Sequence, residues 1–197
     1  MIDYPEYMEI DGVKFKINTD FRVAIECGRI AEDDSISDYE RGMAIIYLLL
    51  GDSGLDNIKD YDKAFELIKK YLSCGKEIVK SKEKPDMDYI EDMDYIEASF
   101  QSDYGISLFD DGMHWWKFNK LINGLSNSEL GNCCILNRIR NFRRIDPKTI
   151  KDNKERQEII EMQKQVALKR NNKENTPNKQ QQESINKLKQ ILSNRKR

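Results

Sequence analysis

Side chains able to act as nucleophiles, metal ligands or general bases are few and scattered in this sequence. There is one imidazole, His114, and four thiols, Cys27, Cys74, Cys133 and Cys134. A single imidazole precludes a His-pair metal site. No cysteines have C-x-x-C spacing, and the adjacent Cys133 and Cys134 would point about 100° apart on a helix, so only one could face a given ion. The thiols therefore read as small buried hydrophobes. His114, at the start of an apolar helix, reads as a packed or half-exposed histidine and not as a general base. The carboxylate runs Asp33-Asp34, Asp110-Asp111 and Asp86 to Glu97 fall at loops and helix starts, where capping and the helix dipole account for them. With no Gly-rich phosphate loop either, the sequence predicts no catalytic site, no cofactor and no metal, hence a protein that is not an enzyme.

The segment richest in recognition-type side chains runs from Gly112 to Leu125 and contains both tryptophans. At 100° per residue, Trp115, Phe118, Leu121, Ile122 and Leu125 share one arc, which predicts a core face. Trp116 points away, on the side of Asn119, Lys120 and Asn123. A tryptophan there either packs on a neighbouring helix or meets a partner, and both readings stay open. Trp116 and Lys120 are the partner-contact candidates in the body of the chain.

The elements that would position these residues follow from local pattern. Period-two alternation on both sides of Asp11-Gly12, from Tyr7 to Ile17, predicts a β-hairpin. Asn18, Thr19 or Asp20 can cap a helix whose face is Phe21, Ala24, Ile25 and Gly28. Ser37 and Glu40 have reciprocal capping spacing before the wholly apolar run Met43 to Leu50, which predicts a central, buried helix ending at Gly51. After a loop from Gly51 to Ile58, Asp60 caps a helix with the stripe Tyr61, Ala64, Phe65, Ile68 and Leu72, ending at Gly75.

A six-residue direct repeat follows a polar connection: Asp86 to Glu91 and Asp92 to Glu97 are both Asp-Met-Asp-Tyr-Ile-Glu. Copies six residues apart face different directions on a helix, so the repeat reads as a duplication lengthening a linker or a helix start. Tyr89, Met93, Ile96 and Phe100 keep helical spacing, so the second copy should be helical, with Ile96 and Phe100 in the core. Ile106 to Phe109 reads as a short strand-like piece. Ser126 to Glu129 repeats the reciprocal cap and should open a helix through Ile135, Leu136, Ile139 and Phe142. Asp146-Pro147 should open a long polar helix to about Arg170, with sparse apolar content at Ile159, Ile160, Met162, Val166 and Ala167.

The sequence is 35% charged, against about 25% in an average domain, so part of it should lie outside any core. The net charge of −2 conceals an asymmetry. Residues 148–197 carry 14 Lys+Arg against 6 Asp+Glu, and residues 1–147 carry 19 against 29. This is an acidic body with a basic tail. Residues 171–182 lack the apolar groups that would offset ordering entropy and predict a disordered linker. Beyond it, Ile185, Leu188, Ile191 and Leu192 form a short amphipathic stripe among basic residues, which would fold on a partner. Ile185, Leu188 and Leu192 complete the partner-binding set. The predicted organisation is a helical body with an N-terminal hairpin over 1–146, a long polar helix over 147–170 and a basic extension over 171–197. Free cysteines suit a reducing compartment, and no window has the apolar length of a membrane span.

The order of these segments resembles a known family. The hairpin around Asp11-Gly12, Ile17 to Arg22, Ile96 to Phe100, Tyr104 to Leu108, His114 to Phe118, Leu121 to Leu125 and Arg138 to Arg143 resemble the phage "gene product fifteen" family over roughly residues 8–170. The combination Phe100, Tyr104-Gly105-Ile106, His114-Trp115-Trp116 and Phe118 carries most of the specificity; the six-residue repeat and the tail after Asn171 depart from the pattern. The resemblance implies a tail assembly chaperone of siphophages and prophages of Gram-positive bacteria, mainly α-helical, acting in the host cytoplasm and absent from the mature virion. By that resemblance it would bind the tape measure protein and keep it soluble until the tail tube polymerises. A second tail assembly chaperone product and the tube subunit would be further partners, and the chain would self-associate along the tape measure protein. Two alternative readings belong to other classes: nucleic-acid binding by the basic tail with Arg138, Arg140, Arg143 and Arg144, and a structural tail or connector component that stays in the particle.

Overall fold

The computed structural model describes residues 4–77, 84–110, 112–127 and 133–169. The expectations placed on 171–197, including Ile185, Leu188 and Leu192, lie outside these residues, as do Ser128 and Glu129 of the predicted second capping pattern. The fold is mainly α-helical with one two-stranded antiparallel hairpin at its N-terminal end, as the sequence predicts. The described residues form two compact units, 4–77 with 112–119, and 84–110 with 120–127 and 133–169. No helix among them is long and apolar enough to cross a membrane.

In the first unit, strands β1 (Tyr7–Ile10) and β2 (Val13–Lys16) pair Met8 with Phe15 and Ile10 with Val13. Asp11 and Gly12 both have positive φ, the requirement of the two-residue turn that matches strand twist. Met8, Ile10 and Phe15 are buried while Glu9 and Lys14 face outward. A lone hairpin is marginal in water, and this one is tied down at both ends. The Asn18 amide donates to the Leu49 carbonyl at 2.7 Å, and the Asp11 carboxylate accepts from the Asp60 amide at 3.1 Å.

Helix α1 (Phe21–Ala31) is capped by Asp20, the third of the three residues offered by the sequence. Its buried face is Phe21, Ala24, Cys27 and Ile30. Gly28, predicted to be on that face, is exposed and Ile25 is half-buried; the inward stripe follows the i, i+3 row, and α2 is the helix packed against α1. Helix α2 (Asp38–Asn57) begins with the reciprocal Ser37 and Glu40 cap, and none of residues 41–50 is exposed. At Gly51 the backbone turns to φ 68°, yet helix resumes beyond it. The predicted loop from Gly51 is therefore a kink followed by further helix, which buries Leu55.

Helix α3 (Tyr61–Leu72) starts at Asp60 as predicted but is rotated about its axis. It buries Ala64, Ile68 and Tyr71 and leaves Tyr61 and Phe65 at the surface. Residues 112–115 run antiparallel to residues 19–21 through a bridge between Asp20 and His114. The Phe21 amide donates to Met113 and the Trp115 amide to Thr19. This sets the start of α5 (Trp115–Asn123) beside the start of α1, with the Phe21 and Phe118 rings stacked 4.5 Å apart.

In the second unit, α4 (Met93–Tyr104) takes up the second repeat copy except Asp92, its N-cap, while the first copy is coil and turn. Helix α6 (Ile135–Arg144) is capped by the Cys134 sulfur, which accepts from the Asn137 amide. The helix thus begins later than the Ser126 pattern predicts, and the Ser126 carbonyl instead accepts from the Cys134 amide. The buried Ser99 hydroxyl of α4 accepts from the Leu136 amide at 3.1 Å, satisfying another orphan donor at that end. Ile106 to Phe109 is coil and turn, not strand; no partner strand lies beside it among the described residues, and it buries only Leu108 fully. The predicted long helix from Pro147 is a 3-10 turn, Pro147–Thr149, followed by α7 (Asn153–Gln165), whose cap is Asp152. Extended backbone at Ile150 breaks it. No residue of α7 is buried, and Leu168 just beyond it supplies the anchor.

Candidate partner-binding surface

Both tryptophans of the aromatic helix serve the end of α3. Helix α3 closes with Cys74 and Gly75 at positive φ, the Gly75 amide bonded to the Lys70 carbonyl and the Cys74 amide to that of Tyr71, the bonding pattern of a left-handed helix stop. The Trp116 indole donates to the Tyr71 carbonyl and the Trp115 indole to the Leu72 carbonyl, each at 2.9 Å. The Leu72 carbonyl at the helix end is thereby satisfied by a side chain, and the Tyr71 carbonyl takes the Trp116 indole beside the Cys74 amide. Of the two readings left open for Trp116, the structure places it on a neighbouring helix, half-buried, with its ring tilted against Tyr71. Lys120, one turn later, is exposed. Trp115, Phe118, Ile96 and Phe100 are buried, in agreement with their assignment to the core, while Leu121 is half-buried.

His114 is half-buried and held on every side. Its Nδ1 accepts from the Trp116 amide at 3.0 Å, so Nε2, 3.1 Å from the Pro5 carbonyl, carries the proton and donates there. Its ring stacks on Tyr4 at 5.0 Å. This imidazole joins the N-terminal segment to the start of α5. Burial pushes the Cys27 thiol up to about 12 and the Cys74 thiol up to about 11, the opposite of what a reactive thiolate needs. Burial likewise raises the Tyr71 phenol, whose hydroxyl has no hydrogen-bond partner among the described residues. Among those residues, no group of three or more His, Cys, Asp or Glu is placed to hold a metal ion.

The surface that pattern reading misses lies on the outward side of α2 and α3. Tyr61 and Phe65 are 36% and 37% exposed with ring centroids 6.5 Å apart, and Tyr39 is 57% exposed. Phe65 lies across Gly42, where an added Cβ would sit 2.4 Å from the ring. Tyr39 is one helical turn before Gly42, on the same side of α2. Asp62 and Glu66 form an exposed row beside Tyr61 and Phe65, and the Asp38 side chain is almost fully exposed beside Tyr39. The available signal was the glycine within a bulky apolar helix, since only a glycine leaves room for a ring to cross there.

Three of the four arginines considered for phosphate contact are otherwise engaged. Arg143 holds the Asp92 carboxylate, while Arg140 and Arg144 pair with Asp86. Arg138 is exposed.

Comparison with known proteins adds one assignment. The family model described as Bacteriophage Gp15 protein matches residues 1–168, and no curated protein and no solved structure matches the chain.

Proposed function

Because the chain belongs to the Bacteriophage Gp15 family, and so is a phage structural or assembly-related protein, we propose that it is a tail assembly chaperone that binds the tape measure protein. In this reading it covers apolar faces of that long helical chain until tube subunits displace it. The observation that carries the reading is the row Tyr39, Tyr61 and Phe65, turned to solvent on well-capped helices. Rigid aromatic rings in a row fit the apolar stripe of a partner helix, and the acidic residues beside them favour a partner with basic flanks. The reading includes no substrate turnover. Further partners are a second tail assembly chaperone product and the tube subunit, with copies of this chain side by side along the tape measure protein, in the host cytoplasm.

Coexpression tests it. Tape measure protein should move from inclusion bodies to the soluble fraction and copurify with this chain. Tape measure protein that remains insoluble and uncaptured overturns the proposal. Mass spectrometry of purified particles separates the alternative of a resident tail component, which would appear in stoichiometric amount where an assembly factor is missing. Nucleic-acid binding is the less favoured class, because Arg140, Arg143 and Arg144 already face carboxylates.

A further inference from the structure

The aromatic row and the end of the chain have matching chemistry. On α3, Tyr61 and Phe65 are four residues apart and share a side, and Asp62 and Glu66 form a parallel acidic row next to them. Tyr39 and Asp38 repeat the pairing of ring and carboxylate at the start of α2, where Asp38 also holds Arg41. Residues 4–77 carry 16 Asp+Glu against 10 Lys+Arg. Residues 185–197 carry five Lys+Arg and no acid, with Ile185, Leu188 and Leu192 at i, i+3 and i+7 and Lys187 and Lys189 on either side of Leu188. One surface offers exposed rings edged with carboxylates; the other segment offers an apolar stripe edged with amines.

We infer that the C-terminal segment 185–197 docks on the Tyr39, Tyr61 and Phe65 face of its own chain, occupying that surface until another helix displaces it. The 15 residues between Lys169 and Ile185 span up to about 50 Å when extended, several times the ~13 Å radius of gyration of a 100-residue domain. Tethering raises the local concentration of the segment to about the millimolar range, so an individually weak amphipathic contact suffices. The inference deepens the chaperone reading by naming what covers the partner surface in the free protein. A tape measure helix then competes with a built-in occupant, which keeps an aromatic surface covered when no partner is present.

Zero-length carbodiimide coupling of the full-length protein tests this, because it joins a lysine amine to a carboxylate only at direct contact. The sample is an equal mixture of unlabelled and nitrogen-15-labelled chains at low salt. The expected result is coupling of Lys187 or Lys189 to Asp38, Asp62 or Glu66 within single chains, falling at least about fivefold in about 0.5 M salt, where screening is strong. Leu188→Asp should reduce the same products to a similar degree with an unchanged circular dichroism spectrum. Coupling spread over other carboxylates, or found mainly between differently labelled chains, overturns the inference. If tape measure protein is solubilised while these products are absent, only this inference fails. If the products form while tape measure protein stays insoluble, the docking stands and the chaperone reading fails.

Discussion

Arg143 and Asp92 meet through two parallel hydrogen bonds, Nη1 to Oδ2 and Nη2 to Oδ1, each 2.7 Å long, with the carboxylate wholly excluded from solvent. The guanidinium also donates to the Asp86 and Val166 carbonyls, which engages four of its five N–H groups. One side chain of α6 thereby fastens the segment before α4 and the segment after α7. Asp92 also accepts from the Asp88 amide, so the carboxylate has partners from two directions. The six-residue repeat acquires a physical role here. The first residue of each copy, Asp86 and Asp92, takes arginines from one helix, α6, whereas the third residue of the first copy, Asp88, accepts from the amides of Ile90 and Glu91 and shapes the turn.

Asp92→Ala is expected to destabilise the protein by about 3–5 kcal/mol, because it strands a half-buried guanidinium. Arg143→Lys should lose much of the same stabilisation, since an ammonium cannot reproduce the two-pronged contact. Asp86→Ala, which leaves that pair intact, should cost about 1 kcal/mol. Urea midpoints of the three variants check the order; equal effects of Asp86→Ala and Asp92→Ala would refute the distinction between the copies.

Asp20 provides an acid-sensitive cap. Its carboxylate accepts from the Arg22 amide at 2.9 Å and from the Arg22 guanidinium, and that side-chain contact, against partial desolvation, holds the carboxyl below its usual range. A depressed folded-state value means that the contribution is present above the unfolded carboxyl value near 3.9 and is lost as pH falls through the folded one. Asp20→Asn keeps a capping oxygen but loses the charge facing Arg22, so it should lower the unfolding free energy from urea titration at pH 6 by about 0.5 kcal/mol, and the gap to the parent should narrow at pH 3. A gap that is the same at both pH values contradicts the assignment.

Trp116→Ala is expected to lower stability by about 2–3 kcal/mol, since it opens a hole against Tyr71 and leaves that carbonyl without its indole donor. Trp116→Phe should cost about 1 kcal/mol through the lost donor alone. Lys120→Glu should stay within about 0.5 kcal/mol of the parent. Loss of tape measure copurification by Lys120→Glu at an unchanged melting temperature would then report contact rather than folding.

Thiol chemistry separates the cysteines. With Cys27 buried and its thiol raised to about 12, iodoacetamide at pH 8 should leave it unmodified in the native protein and modify it in urea. Intact-mass and peptide spectrometry before and after unfolding reads this directly. Native alkylation of Cys27 at the rate of a free thiol would show that α1 does not pack as described.

Much of the fold is legible from the sequence because its codes are local. The Asp11-Gly12 turn, the caps at Asp20, Ser37 and Asp60, and the buried arc of Trp115 and Phe118 each depend on residues within a few positions of one another, whose backbone and side-chain bonds form wherever the chain is placed. What tertiary structure decided has long-range causes. Helix α3 carries apolar residues on two adjoining sides, and nothing local says which turns inward. The Trp115 and Trp116 indoles fix its last carbonyls from more than 40 residues away in sequence, Tyr71 goes into the core, and Phe65 is left lying across Gly42 at the surface. The Asp92 and Arg143 pair and the Leu168 anchor were hidden for the same reason, whereas the Cys134 cap is local and was hidden because a thiol sulfur is a weak acceptor that does not read as a cap. Burial and pairing are settled by whichever distant group removes a side chain from water, and period and spacing carry no information about that group.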